Sequence, residues 1–102
     1  MRMWGVGPEK LCRKHLLGEH VEMHMFAGTI NKGISIAGYI AKGLVNPREI
    51  QSRHNLLSEE MQRRGYNHQS ALSIDCSNLP IASLSITENE IELKKRCREC
   101  RV

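Results

Sequence analysis

Apolar side chains recur every three to four residues along the first third of the chain, the spacing that places them on one face of a helix. This pattern predicts a long first helix from Pro8 to about Asn31, because proline suits a first turn and Gly33 follows the last periodic residue. Residues 1–7 precede it and contain two glycines and one tryptophan. We expect them to form an extended segment that Trp4 packs against the protein.

Two further helical patterns follow the first. Residues 34–44 are apolar but interrupted by two glycines, which predicts a small helix. A second long helix is predicted to begin at Pro47, with Asn46 as its N-cap. It reaches Arg64, because Gly65 is a typical C-terminal stop. Its inner stripe consists of Ile50, His54, Leu57 and Met61.

The remainder of the chain predicts a loop and one more helix. Residues 66–80 have the composition of a loop. A last helix begins within residues 83–87 and leads into a basic tail, residues 94–102. The predicted fold class is all-α: a single compact domain, residues 1–102, of about three to four helices with a buried N-terminal segment.

The composition limits both the core and the location. The 102 residues include one Phe, one Trp and two Tyr, so the core is expected to consist mainly of Leu, Ile, Met and Val. No stretch is apolar over the length of a signal peptide or a membrane span. We therefore expect a cytoplasmic monomer with no membrane partner.

Three ionisable residues interrupt the apolar face of the first helix. At about 100° per residue, His15, Glu19 and Glu22 fall within roughly 60° of one another on the side expected to face the core. Two interpretations stay open: a buried ion-pair network, or the wall of an active site, where the cost of burying carboxylates is commonly tolerated. Gly18 lies beside Glu22, and we expect the N-terminal segment to cross there.

The opposite face of this helix carries Arg13, His20 and His24, within about 40° of one another. His20 and His24 have the i, i+4 spacing of a metal-binding pair, but the carboxylates of the same helix point away from them. A solvated basic face that contacts phosphate is favoured over a metal site. His54, on the inner stripe of the second long helix, is expected to be a hydrogen-bonded core histidine.

The four cysteines are expected to be reduced thiols without a shared role: Cys12, Cys76, Cys97 and Cys100. The Cys97-x-x-Cys100 pair lacks a second pair at zinc-site spacing. In principle, Cys12 and Cys76 complete a four-thiolate zinc site with it, and incidental thiols are the favoured alternative. The sequence therefore predicts no metal and no other cofactor.

The net charge of +4 suits a partner rich in phosphate. Basic residues cluster at three places in the sequence and are candidates for one wall of a phosphate-binding groove. They are Arg13 and Lys14, Arg63 and Arg64, and the tail residues Lys94, Lys95, Arg96, Arg98 and Arg101. For the tail, a solvated helix end is the alternative.

The order H-L-L-G-E-H-x-E over His15–Glu22 resembles the first helix of the pyrimidine-dimer DNA glycosylase family, the phage endonuclease V type. Three more segments are similar to that family in the same order along the chain. They are Arg2 after the first residue, RRGYNH at Arg63–His68, and LPIASLSI at Leu79–Ile86 before the last helix. The resemblance therefore covers nearly the whole chain.

The resemblance implies a DNA repair glycosylase with AP-lyase activity, encoded by a phage or a bacterium and acting in the host cytoplasm. Its implied partner is double-stranded DNA with damaged pyrimidines or abasic sites, and no metal is required. The α-amine of the first residue, here Met1, attacks the sugar C1′ and forms a Schiff base, assisted by Glu22. α-Amines titrate near about 8 and lysines above about 10, so more of an α-amine is a free nucleophile at neutral pH.

Further roles follow from the same resemblance. Arg2 and His15 hold substrate phosphates and the geometry of the site, and Glu19 matches a further family glutamate. Candidates for contact with DNA also include Arg13, His20, His24, Arg63, Arg64, Lys94 and Lys95.

The chain departs from the family pattern at several positions. Met1 stands in the place of a threonine, and Val21 and Met25 replace arginines. The aromatic C-terminal tail of the family is replaced by KKRCRECRV. Two alternatives therefore stay open: a DNA-binding module that lacks catalysis or has another target, and a metal-dependent nuclease that uses His20, His24 and a carboxylate.

Overall fold

The computed structural model describes residues 1–67 and 70–102, and all regular secondary structure within these ranges is helical. The α-helices are α1 (Arg13–Asn31), α2 (Ala37–Ala41), α3 (Ile50–Arg63) and α4 (Ile86–Arg96), with 3₁₀ turns at Pro8–Lys10 and Pro47–Glu49. The predicted all-α class is confirmed. Among the helices in these ranges, none is both long and apolar enough to cross a membrane.

Helix α1 begins at Arg13, so the prediction of one helix starting at Pro8 is wrong at that end. Pro8 starts a separate 3₁₀ turn, and the chain then extends through Leu11 and Cys12, which have ψ angles of 139° and 168°. Cys12 is the N-cap, and its thiol accepts a hydrogen bond from the His15 main-chain nitrogen at 3.5 Å. Cysteine is an uncommon N-cap, so the sequence gives no clear signal for this boundary.

The other helix boundaries agree with their local signals more closely. Helix α1 ends at Asn31 as predicted, and Gly33 follows with a φ of +73° that favours glycine. Helix α3 ends at Arg63, and Gly65 has a φ of +82°. The small helix α2 falls within the predicted range, and the last helix begins at Ile86, after a capping hydrogen bond between Ser85 Oγ and the Glu88 amide.

The start of α3 differs from the prediction. A 3₁₀ turn replaces its first turn, and the side chain of Asn46 caps neither element. Asn46 Oδ1 instead accepts a hydrogen bond from the main-chain nitrogen of Ala82 at 3.2 Å. The Asn46 side chain therefore bonds to the segment before α4 instead of capping a helix, which is the role that its local sequence predicts. The inner stripe of α3 is confirmed, since all four residues are buried: Ile50, His54, Leu57 and Met61.

The N-terminal segment lies in the core, as predicted. Met3 and Val6 are fully buried, and Trp4 is nearly so. The Met3 amide donates a hydrogen bond to the Leu44 carbonyl at 2.7 Å, so the segment is held beside the connection between α2 and α3. Apolar burial therefore stabilises the position of this segment in the absence of regular secondary structure.

A buried ion pair joins the N-terminal segment to α1 and α3. The Arg53 guanidinium donates to both carboxylate oxygens of Glu19, at 2.6 and 2.9 Å. The Trp4 amide donates to the same carboxylate at 3.1 Å. Because the side chain of Glu19 is fully buried, these bonds supply the partners that a buried carboxylate needs.

Gly18 does not have the role predicted for it. A Cβ built at Gly18 would meet nothing within 4 Å among the described residues, so the N-terminal segment does not need this glycine in order to pass. The glycine that the segment requires is Gly5, which has a φ of +69°. There a Cβ would also lie 2.7 Å from Ile86 Cδ1.

We predict that Arg53→Met strongly destabilises the protein, because it leaves the Glu19 carboxylate buried without its cation. Loss of one partner of a buried pair costs about 3–5 kcal/mol. Urea unfolding measures this change in the free energy of unfolding. The double variant Glu19→Gln with Arg53→Met is expected to recover most of the loss, because no charge is then left unpaired.

The exposed pair between Arg96 and Glu92, with 2.6 Å between Nε and Oε1, is the matched control. Glu92→Gln removes one i, i+4 pair and is expected to cost about 0.5 kcal/mol or less. An Arg53→Met variant that loses no more stability than Glu92→Gln contradicts the assignment.

Candidate active site

The amino terminus lies beside a carboxylate of α1. The Met1 main-chain nitrogen is 3.8 Å from Glu22 Oε1, and the two side chains are 12% and 30% exposed. The buried extended segment brings the amine here, and Glu22 lies one turn after Glu19 on the same helix face. An amine and a carboxyl group are thus held together in a partly buried environment.

The environment of Glu22 favours the protonated carboxyl. Burial raises the pKa of Glu22 above its ordinary value of 4.5. The positive amino terminus and the Arg2 main-chain hydrogen bond oppose this effect, while the neighbouring Glu19 adds to it. A carboxyl with a raised pKa exchanges protons near neutral pH more readily than an exposed one.

Arg2 is fixed against the core on the other side of the amine. Its guanidinium lies 3.9 Å from the centre of the Trp4 ring, and its Nη2 donates to Asn89 Oδ1 at 2.6 Å. Asn89 is buried in α4 and its Nδ2 donates to the Trp4 carbonyl at 2.7 Å. Helix α4 therefore positions Arg2 and Trp4.

A groove of about 480 Å³ opens along α1 beside Glu22. Its lining includes Trp4, Lys14, His15, Gly18, Val21 and Glu22. The absence of a side chain at Gly18 leaves the floor of this groove open, which explains the glycine better than the predicted chain crossing does.

His15 lies in this groove with one ring nitrogen turned away from Glu22's carboxylate and towards sulfur. Its Nδ1 is 3.2 Å from Cys12 Sγ and 3.4 Å from Cys100 Sγ. Burial, together with Lys14 and Arg96, lowers the pKa of His15 below its ordinary value of 6.5. At neutral pH the ring is therefore mainly uncharged.

The histidines on the other face of α1 are not solvated as predicted. His20 is only 5% exposed, and its Nε2 lies 3.1 Å from Nε2 of His54. The ring centres of His20 and His24 are 5.0 Å apart. The prediction of a solvated basic face is wrong for His20, because α3 packs over it.

The prediction of His54 as a hydrogen-bonded core histidine is confirmed, since it is buried and bonds to its neighbours. The contacts of His54 with His20 and His24 were not predicted from the sequence. The available signal was that His54 lies on the inner stripe of α3, the face that packs on α1. Ligand atoms of the three histidines lie within 4.8 Å of one another, so this cluster has the geometry to hold a metal ion.

The basic candidates divide into internal and exposed groups. Arg64 bonds to Glu60 and to the carbonyls of Pro8 and Leu11, so it holds the first turn against α3. Arg63 is exposed and also pairs with Glu60. The remaining candidates are exposed: Arg13, whose guanidinium lies 4.8 Å from the Tyr66 ring centre, and Lys94 and Lys95 on α4. His68, in the RRGYNH segment, lies outside the described residues.

Comparison with known proteins gives one family. A family model described as pyrimidine dimer DNA glycosylase matches residues 1–74. The matched range contains the N-terminal segment and helices α1 to α3, including Met1 and Glu22, while α4 and the tail lie beyond it. A search of curated proteins and a search of solved structures gave no match.

We predict a pH-dependent effect of Glu22→Gln on stability. A carboxyl with a raised pKa supports folding most at pH values below 4.5, and this support is lost as the pH rises through the folded-state pKa. The glutamine has no such titration. The free energy of unfolding of the variant, relative to wild type, should therefore rise between about pH 4 and pH 7.

Urea unfolding of both proteins at several pH values measures this difference. A difference that stays constant or falls as the pH rises contradicts the raised pKa of Glu22.

Proposed function

Because the chain belongs to the pyrimidine dimer DNA glycosylase family, a family of DNA repair glycosylases, we propose that the Met1 α-amine is the nucleophile of this protein. In this proposal the protein also acts as an AP lyase. The observation that supports this mechanism is the 3.8 Å distance between the Met1 nitrogen and Glu22 Oε1. The substrate is double-stranded DNA with a damaged pyrimidine or an abasic site.

The proposed reaction proceeds in two stages. The amine attacks the sugar C1′, a bond forms between nitrogen and C1′, and the glycosidic bond breaks as the base leaves with a proton. The nitrogen lone pair then forms a C=N double bond as the C1′–O4′ bond breaks, and O4′ takes up a proton, which gives a protonated Schiff base. Removal of a C2′ proton expels the 3′ phosphate and cuts the strand, and water releases the enzyme.

Glu22 serves both stages in this proposal. Its carboxylate stabilises the positive charge that develops on the sugar as the base leaves. It then accepts and returns protons in the imine steps. Its raised pKa suits the proton transfers, and its position beside the amine suits both roles.

Glu19 and Arg53 act as positioning residues. Glu19 is buried and its oxygens are taken by Arg53 and by the Trp4 amide, so it orients the N-terminal segment instead of contacting substrate. Asn89 does the same from α4 through Arg2 and the Trp4 carbonyl. The reacting amine is thus placed by contacts at Arg2 and Trp4, one and three residues away from it.

DNA contact is assigned to the groove beside Glu22 and to basic residues elsewhere on the surface. Arg2, Lys14 and His15 are the nearest candidates for phosphate contact. The other candidates are Arg13, His24, Arg63, Lys94 and Lys95. A base inside a duplex is out of reach, so the nucleotide must be extruded at a cost of about a few kcal/mol.

We predict that borohydride traps a covalent adduct between the full chain and DNA with an abasic site. A Gly-Ser extension before Met1 removes the amine from its position and is expected to abolish the adduct while DNA binding persists. Glu22→Gln is expected to slow base release by about 10²-fold or more, because general acid–base groups typically contribute that much. Gel analysis of the trapped adduct and of released base measures both effects.

Each alternative has a distinct result in the same assay. A chain with a free amino terminus that binds the DNA but gives no adduct is a DNA-binding module without this chemistry. Strand cleavage without an adduct, dependent on added Mg²⁺ or Mn²⁺, identifies a metal-dependent nuclease.

We also predict that Gly18→Ala weakens DNA binding while it stabilises the fold. Alanine in an exposed helix interior gains about 0.5–1 kcal/mol over glycine, and a Cβ at position 18 meets no described atom within 4 Å. The same methyl group fills the floor of the groove. We expect a loss of about fivefold or more in affinity for abasic-site DNA, equivalent to about 1 kcal/mol.

Gly28→Ala is the matched control, because Gly28 lies in the same helix with equally open surroundings and does not line the groove. It should stabilise the fold similarly and leave DNA affinity unchanged. Equal affinities for the two variants, measured by fluorescence anisotropy, argue against the groove as the DNA site.

A further inference from the structure

Four potential metal ligands converge where the start of α1 meets the end of α4. Cys12 Sγ lies 3.7 Å from Cys97 Sγ and 3.2 Å from His15 Nδ1, and Cys100 Sγ lies 3.4 Å from the same nitrogen. All four ligand atoms are within 4.8 Å of one another. Three sulfur atoms and one imidazole nitrogen therefore surround one point, although up to 88 residues separate them in sequence.

These distances match the edges of a zinc tetrahedron. Zn–S bonds of about 2.3 Å and Zn–N bonds of about 2.0 Å place two sulfurs about 3.7 Å apart, and sulfur and nitrogen about 3.5 Å apart. We propose that the protein binds one structural Zn²⁺ through Cys12, His15, Cys97 and Cys100. Four protein ligands close the site, which is the arrangement of structural rather than catalytic zinc.

The ligand spacing supports the same assignment. Cys12-x-x-His15 and Cys97-x-x-Cys100 are two pairs with two intervening residues each. Such pairs, brought together from distant parts of a chain, are typical of zinc sites. From the sequence, Cys76 completes such a site with Cys12 only in principle and incidental thiols are favoured, whereas the structure brings His15 to the other three ligands.

Main-chain amides donate to two of the three sulfur atoms. The His15 amide donates to Cys12 Sγ at 3.5 Å, and the Cys12 amide donates to Cys100 Sγ at 3.3 Å. Amide donors stabilise thiolates, and the thiolate is the form that binds metal.

The proposed ion connects the two ends of the domain. Cys12 caps α1 and Cys97 caps the end of α4, and the Arg101 amide donates to the Lys10 carbonyl at 2.7 Å beside them. A small domain with few aromatic residues gains stability from such a connection. Zinc at Nδ1 of His15 would also leave the proton on Nε2, so the ring in the groove would be a hydrogen-bond donor.

The test measures metal on the full chain, independently of its activity. We expect the purified protein to carry about one Zn²⁺ per chain, and Co²⁺ substitution to give the visible absorption of tetrahedral cobalt thiolate. Cys97→Ser and Cys100→Ser should each weaken Zn²⁺ binding by more than about a hundredfold, since even outer-shell partners typically contribute 10–100-fold. Cys76→Ser is the matched control and should bind as wild type does.

X-ray absorption of the wild-type zinc protein tests the proposal directly, so the result does not depend on whether any variant folds. Three sulfurs at about 2.3 Å and one nitrogen at about 2.0 Å are expected. A nitrogen-only shell would place zinc at the cluster of His20, His24 and His54 and overturn the proposal. A reduced protein that binds neither Zn²⁺ nor Co²⁺ would also overturn the proposal, as would a Cys76→Ser variant that loses the metal.

Discussion

The buried pair between Glu19 and Arg53 is the contact on which the rest of the structure depends. It joins α1 to α3, and through the Trp4 amide it also holds the N-terminal segment. Both charges and the Trp4 amide have partners in this set, which is the condition for keeping a carboxylate in an apolar core. The amine at the chain end has a defined position because this polar contact lies three residues away from it.

Glu19 and Glu22 share one helix face but have opposite surroundings. The sequence left open whether this face was a buried ion network or the wall of an active site. Glu19 belongs to the first and has its oxygens occupied, whereas Glu22 remains partly exposed beside the amine. A single helical turn thus separates a carboxylate that stabilises the fold from one that is partly exposed. The ion-network interpretation holds for Glu19, and the active-site interpretation stays a prediction for Glu22.

Features with strong local signals were predictable from sequence. The inner stripe of α3, the glycine stops after α1 and α3, and the burial of Trp4 all follow from periodicity and backbone preference. The predictions failed where a distant residue decides the outcome. The Asn46 side chain bonds to Ala82 instead of capping, and α3 covers His20. His15 meets Cys100 across 85 positions, and no pattern within one helix contains that information.

The N-terminal segment also sets the order in which a newly made chain acquires its site. Arg2 is made early, but it is held by Asn89, a residue 87 positions later. At about 5–20 residues per second, synthesis of the stretch between them takes about 4–17 s, and during that time Arg2 lacks this partner. Arg2 therefore reaches its final position only after α4 has left the ribosome, so products truncated before Asn89 lack the contact that holds this end of the segment.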